Sequence, residues 1–127
     1  MPAPVWVRLV AVDDVPAAGI ASVSVGDLDL VVWRDIDGVP AVMDARCPHQ
    51  WSHLEAEGVV DGYEIVCTAH FWRFDAQGCG TKLTELGRRD PKSDVAVYAC
   101  READGFVEAQ LPAATSLTGD LPPDGLP

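Results

Sequence analysis

Hydrophobic residues recur along most of the chain as short runs of alternating or β-branched residues, and turn residues separate these runs. Runs of this kind predict β-strands. No window repeats its hydrophobic residues with the 3.6-residue period of a helix, and residues 12–16 allow at most one helical turn. The pattern therefore predicts an all-β sandwich or barrel. The predicted strands cover residues 5–10, 19–25, 28–33, 39–43, 58–60, 63–67, 70–75, 94–100 and 105–111.

The turns between these strands carry glycine at their tightest points. Asp61-Gly62 is the strongest short-range hairpin signal in the chain and predicts that the strands on either side of it pair. The turn at residues 103–105 predicts a closing hairpin between the last two strands. One domain is expected over residues 1–111. Residues 112–127 hold four prolines and two glycines without an apolar period, which predicts an extended C-terminal tail.

Composition narrows the range of partners. Nine basic and twenty acidic side chains give a formal charge of −11, which repels phosphates and anionic lipid, so we expect neither nucleic acid nor a membrane as a partner. The N-terminus lacks the basic and apolar regions of a signal peptide, and no run of about eighteen apolar residues predicts a transmembrane helix. We expect a cytoplasmic protein.

Two clusters of rare residues carry the candidate chemistry. The four cysteines and three histidines include Cys47-x-His49 and, after seventeen intervening residues, Cys67-x2-His70. Cytoplasmic cysteines are kept reduced, so metal ligation is a better explanation than a disulfide framework. Thiolates with imidazoles suit zinc or an iron–sulfur cluster. Each loop supplies one ligand of each type, which favours a binuclear cluster that takes cysteines on one iron and histidines on the other.

The segments "CPH" and "CTAH", the latter followed by "FWRFD", resemble the Rieske iron–sulfur signature, and the resemblance covers roughly residues 5–110. It implies the Rieske fold, an antiparallel β-sandwich or barrel base with a small cluster-binding lobe at about residues 45–75. It also implies a Rieske-type [2Fe–2S] cluster. In this family Cys47 and Cys67 would hold the buried iron, and His49 and His70 the outer iron.

Four further positions distinguish the types of Rieske protein. High-potential respiratory members have two bridging cysteines where this chain has Ser52 and Ala69. They also have serine and tyrosine hydroxyl donors where it has Trp72 and Phe74. Fewer hydrogen bonds to the cluster favour its oxidised form, so we expect a reduction potential of about −150 mV, near the low end of the Rieske range.

The resemblance implies a ferredoxin, an electron-transfer component and not itself an enzyme. After the two histidine ligands only one histidine remains, too few for the mononuclear iron of an oxygenase. We expect electrons to pass from an NADH-dependent, flavin-containing reductase to the hydroxylase of a multicomponent monooxygenase. Phe71, where ferredoxins of aromatic-ring dioxygenases commonly have glycine, favours the toluene-type di-iron monooxygenase systems. The alternatives are a dioxygenase ferredoxin and, in a different class, a zinc-stabilised interaction module without a redox role.

The remaining residues near the signature are assigned more modest roles. Trp51 and Trp72 are candidates for partner docking, since aromatic side chains often anchor protein interfaces, although each could equally cover the cluster. His53 lies four residues after His49 and is interpreted as a loop histidine that does not bind metal. The two other cysteines, Cys79 and Cys100, are interpreted as structural or bystander thiols.

Overall fold

The computed structural model describes residues 5–47 and 53–111. Short strands make up most of this part of the chain, and each pairs antiparallel with its neighbour. The strands are β1 (Val5–Ala11), β2 (Ile20–Val25), β3 (Leu28–Arg34), β4 (Pro40–Asp44), β5 (Gly58–Asp61), β6 (Glu64–Cys67), β7 (Trp72–Asp75), β8 (Gly80–Leu83), β9 (Arg89–Lys92), β10 (Val97–Tyr98), β11 (Cys100–Ala103) and β12 (Phe106–Leu111). Within the described residues, one 3₁₀ turn at Val12–Asp14 and the four-residue helix α1 (Leu54–Glu57) complete the secondary structure.

Three sheets share these strands. The first has the order β1-β12-β11, the second β10-β4-β3-β2, and the third β5-β6-β7-β8-β9. The third sheet is a meander in which every strand pairs with the next one along the chain, and it reaches Lys92. The prediction of an all-β chain with the antiparallel Rieske fold is confirmed.

The second sheet is buried on both faces. Successive side chains of its inner strand β3 point to opposite faces and enter two different cores. Val31 and Trp33 enter one core, which also contains residues of the third sheet such as Ile65 and Phe74. Leu30 and Val32 enter the other core, which the β1-β12-β11 sheet covers from the opposite side. The first of these two cores, here called the site core, continues into the loops that carry the candidate ligands.

Arg34, at the end of β3, joins four segments of the chain. Its side chain is nearly buried, and its Nε donates to the carbonyl of Val15 at 2.5 Å. Its two terminal nitrogens donate to the carbonyls of Gly38, at 2.9 Å, and Val12, at 3.2 Å. It also pairs with the carboxylate of Glu102 on β11. A buried cation is tolerated when its donors are satisfied, as they are here.

Most predicted strands are present, but the closing hairpin differs. Residues 94–100 were expected to form one strand, whereas Val97–Tyr98 pairs with β4 and Cys100 begins β11. The chain changes sheets at Ala99, so the hairpin that closes the fold consists of β11 and β12, around the predicted turn at residues 103–105. The β8–β9 hairpin and α1 were not predicted. Within the described ranges, no helix is long and apolar enough to cross a membrane.

Candidate metal centre

The first candidate ligand, Cys47, follows β4 and is buried, with 2% of its surface exposed. Strand β4 is an inner strand of the second sheet, and its alternating side chains lead directly into the site core, of which Cys47 is a member. Here the first ligand loop means residues 47–53. His49 and Trp51, a predicted ligand and a predicted docking residue, lie outside the described residues, as does Ser52.

The second ligand loop, residues 67–72, is the turn between β6 and β7. Cys67 ends β6, is 2% exposed and lies directly opposite Trp72 in the register of the two strands. The backbone N–H of Phe71 donates to the carbonyl of Cys67 at 2.7 Å and closes the turn. Phe71 has φ = 65°, a left-handed backbone conformation. Glycine adopts this conformation without penalty, whereas it is unfavourable for a residue with a Cβ atom.

His70 lies inside this turn and is partly exposed. Its Nδ1 atom is buried, so the exposed surface of the residue belongs to its other atoms. A histidine that binds metal through an inward ring nitrogen, with the rest of the ring near the surface, would have this orientation. The placement fits the predicted role of His70 as a ligand of the outer iron.

The two loops bring both cysteines into the same core. Cys47 and Cys67 are both members of the site core, and Ala69 and Trp72 pack against its edge. None of the four cysteines, all of which lie within the described residues, forms a disulfide. Two buried thiols beside a histidine with an inward nitrogen are the soft and intermediate donors that an iron–sulfur cluster requires. The residues present therefore fit the cluster.

Within residues 5–47 and 53–111, no group of three or more histidine, cysteine, aspartate or glutamate side chains is placed to hold a single metal ion. The predicted ligand set would hold two irons with two side chains each, and one of its members, His49, lies outside the described residues.

Helix α1 links the two ligand loops through hydrogen bonds. It begins immediately after His53, the last residue of the first loop, and ends at Glu57. The Glu57 carbonyl accepts hydrogen bonds at 2.7 Å from both the backbone N–H and the side-chain hydroxyl of Thr68, in the second loop. One helical turn thus fixes the start of the second loop relative to the end of the first.

The aromatic residues of the second loop differ in exposure. Trp72, a predicted docking residue, is partly buried against the site core, and the ammonium group of Lys92 lies 5.8 Å from the centre of its ring. Phe71 is 59% exposed. The docking role of Trp72 stays a prediction, but Phe71 presents the larger exposed apolar surface beside His70. The exposure of Phe71 was not predicted from the sequence. The available signal was that ferredoxins of aromatic-ring dioxygenases commonly have glycine at this position.

Cys79 and Cys100, the thiols interpreted as bystanders, lie apart from the site core. Cys79 is exposed in the turn before β8, where the negative charge of Asp75 raises the pKa of its thiol. Cys100 starts β11 in the three-stranded sheet, and burial raises the pKa of its thiol. Its sulfur donates to the carbonyl of Pro40 at 3.4 Å. A raised pKa keeps a thiol protonated and unreactive.

Comparison with known proteins agrees with this geometry. The family model for the Rieske [2Fe–2S] domain matches residues 5–99. The chain belongs to the Rieske [2Fe–2S] domain family. A Rieske-type [2Fe–2S] cluster is therefore its cofactor. Cys47, His49, Cys67 and His70 stay its predicted ligands.

Relatives of this Rieske domain include oxygenase components and ferredoxins. The oxygenase subunit of 5,5'-dehydrodivanillate O-demethylase from Sphingobium sp. is 32% identical over 105 residues, which are 78% of this chain and 23% of that protein. The chain thus spans about a quarter of the length of this curated relative. The Sphingomonas yanoikuyae B1 ferredoxin superposes with a TM-score of 0.66 at 27% identity, covering 84% of this chain and 98% of the ferredoxin.

A second solved structure adds information on the fold alone. A chain of the complex of reduced oxygenase and oxidised ferredoxin in carbazole 1,9a-dioxygenase superposes with a TM-score of 0.66 at 24% identity. The match covers 83% of this chain and 92% of that one. The neighbours of this Rieske domain thus include both electron-transfer and oxygenase components.

Proposed function

We propose that this Rieske protein is a ferredoxin that carries single electrons from an NADH-dependent flavin reductase to the hydroxylase of a toluene-type multicomponent di-iron monooxygenase. The observation that carries the proposal is the contrast within the candidate metal centre. Cys47 and Cys67 are 2% exposed, whereas His70 is partly exposed at a turn. A site with one buried side and one side near the surface can exchange electrons with a partner while its sulfur ligands are protected from water.

The cluster, when bound, supplies reversible one-electron chemistry. The chain's own residues determine where that electron enters and leaves. Cys47 and Cys67 hold the inner side of the site inside an apolar core, which excludes solvent. His49 and His70 complete the predicted ligand set on the outer side. Two electrons from one NADH pass singly, so two reduced copies of this protein, or one copy used twice, deliver the pair that a monooxygenase turnover consumes.

The second ligand loop also offers a surface for a partner. Phe71 follows His70 directly and is 59% exposed, so a protein that buries Phe71 would bring its own redox centre close to the outer ligand. The formal charge of −11 favours partners whose docking surface is basic, with association that slows as salt rises. Trp51 and Trp72 are further docking candidates. We expect these encounters to take place in the cytoplasm.

A dioxygenase ferredoxin is the second candidate. The fold shared with a chain of the carbazole 1,9a-dioxygenase complex favours it. Phe71 favours the monooxygenase, because ferredoxins of ring-hydroxylating dioxygenases commonly have glycine there. A zinc-stabilised module without redox activity is the remaining alternative, and it requires a colourless protein that contains one zinc ion.

Reconstitution distinguishes these candidates. The purified holoprotein should be red-brown, and after reduction it should give the electron paramagnetic resonance (EPR) signal of a Rieske cluster. NADH and a flavin reductase should reduce it, and stopped-flow mixing with a di-iron hydroxylase should reoxidise it. Cys67→Ala is the negative control, because it lacks one predicted ligand and should transfer no electrons. Reoxidation only by a ring-hydroxylating dioxygenase would favour the second candidate, and a colourless zinc protein would exclude both.

A further inference from the structure

The two ends of the first ligand loop are held together by backbone contacts. Arg46, before the loop, and His53, its last residue, face each other as an isolated antiparallel β-bridge. One step further out, the backbone N–H of Leu54 donates to the carbonyl of Ala45 at 2.7 Å. Ala45 and Leu54 are both fully buried members of the site core. The segment that contains His49 therefore starts and finishes at one anchored point.

A single carboxylate binds both sides of this closure. Asp29, near the start of β3, lies 3.6 Å from Nε of Arg46 and 3.4 Å from Nε2 of His53. The Asp29 carbonyl also accepts a hydrogen bond from the N–H of Ala45 at 2.8 Å. Strand β3 is an inner strand of the second sheet and is largely buried, so Asp29 connects the loop to the buried centre of the fold.

His53 is fixed at both of its ring nitrogens. Its Nδ1 accepts from the N–H of Glu55 at 3.1 Å and caps the first turn of α1. With Nδ1 acting as acceptor, the ring hydrogen of the neutral imidazole is on Nε2, which faces Asp29. Since α1 ends at the carbonyl that binds Thr68, this one side chain connects the closure of the first loop to the start of the second.

We propose that Asp29, Arg46 and His53 form a clasp that positions the first ligand loop relative to the second, and that His53 is a positioning residue and not a ligand. The proposal concerns the cluster site and does not depend on which oxygenase receives the electron. If the clasp is broken, the core remains packed, but the spacing between the two pairs of ligands is less well defined. The properties of the bound cluster should then change more than the stability of the fold.

Four single substitutions separate the contacts of the clasp. His53→Asn keeps an acceptor for the N–H of Glu55 but is too short to reach Asp29, whereas His53→Gln places an amide donor near the position of Nε2 and loses the cap. Asp29→Asn keeps the shape of the side chain and removes its charge. Asp27→Asn is the matched control, because it makes the same charge change at an exposed position in the preceding turn.

All four variants should acquire the cluster. In Asp29→Asn and His53→Asn we expect a broadened or shifted EPR signal and release of iron to a chelator that is roughly tenfold faster, the effect of losing one hydrogen bond to a charged group. His53→Gln should lie closer to the wild type in both measurements, and Asp27→Asn should match it. Thermal unfolding of each apoprotein measures the purely structural effect.

Three results would overturn the proposal. If the EPR signal and release rate of the Asp29 and His53 variants equal those of Asp27→Asn, the clasp does not position the ligands. The same conclusion holds if only the unfolding temperature of the apoprotein falls. A His53 variant that never acquires a cluster, while Asp29→Asn does, would make His53 a ligand.

Discussion

The left-handed backbone at Phe71 yields a prediction that separates folding from docking. At φ = 65°, a residue with a Cβ is less stable than glycine by about 1–2 kcal/mol. The conformation is imposed by the turn, since the N–H of Phe71 closes it on the carbonyl of Cys67. Phe71→Gly should relieve this strain, whereas Phe71→Ala should retain it. Both variants remove the aromatic ring.

The opposing contributions can be weighed from the exposure of the side chain. Phe71 is 59% exposed, so about two fifths of its surface is buried, and losing that burial destabilises by about 1 kcal/mol. Glycine adds a further 0.5–1 kcal/mol, roughly, through the greater freedom of the unfolded chain. Strain relief offsets these losses, so Phe71→Gly should lie within about 1 kcal/mol of the wild type. Phe71→Ala should be about 1 kcal/mol less stable than the wild type.

Urea unfolding of the three proteins measures this order, and titration with the hydroxylase measures docking. If Phe71 anchors the partner, both variants should bind it about tenfold more weakly, as for loss of an interface aromatic residue. A glycine variant less stable than the alanine variant would show that the turn does not impose a left-handed residue. Unchanged hydroxylase binding by the stable glycine variant would exclude Phe71 from the docking surface.

The remaining predictions test the ligands, the potential, a buried cation and a tyrosine. Cys67→Ala should abolish the visible and EPR spectra of the cluster while the far-UV circular dichroism is retained; a retained cluster would contradict the ligand assignment. Redox titration should give about −150 mV, and Phe74→Tyr should raise this by about 40 mV, the equivalent of one hydrogen bond of about 1 kcal/mol; a wild-type potential above zero would refute the reasoning. Arg34→Met should destabilise the fold by about 3 kcal/mol in urea unfolding, since it leaves the buried carbonyl of Val15 and two partly buried carbonyls without their donor. Burial and the hydrogen bond to Asp44 raise the pKa of Tyr98 to about 12. The folded protein therefore holds the phenolic proton of Tyr98 more tightly than the unfolded chain does, and this stabilises the fold by about 1 kcal/mol after allowing for solvent. The stabilisation is complete below about pH 10 and is lost as the pH rises toward 12. The unfolding midpoints of Tyr98→Phe should not show this dependence on pH.

The sequence predicted those parts of the fold in which apolar residues enter a core. The strands around Leu30–Trp33 and Ile65–Cys67 contain such residues, and their alternation or β-branched character follows directly from burial. The β8–β9 hairpin was missed because its second strand, Arg89–Lys92, is largely exposed and charged and carries no hydrophobic period. Helix α1 was missed because one turn is too short to show helical periodicity.

The candidate site also has features that the sequence predicts and features that only the folded chain shows. The Rieske-type cluster was predictable because rare residue types recur at a specific spacing, whereas the assignment of its four ligands stays a prediction. The clasp was not predictable, because His53 meets a carboxylate twenty-four positions away, and only the folded chain places Asp29 beside it. The left-handed conformation of Phe71 was not predictable either, since phenylalanine does not mark such a position as glycine does.

The site core has a consequence for the order in which the holoprotein is made. Cys47 and Cys67 occupy this core together with apolar side chains such as Trp33, Met43 and Phe74, whose burial itself contributes free energy of folding. In the smallest metal-binding domains, by contrast, the metal itself supplies the folding energy. We therefore expect this chain to fold first and to receive its cluster afterwards. Iron and sulfide could then be removed and restored repeatedly without the chain unfolding.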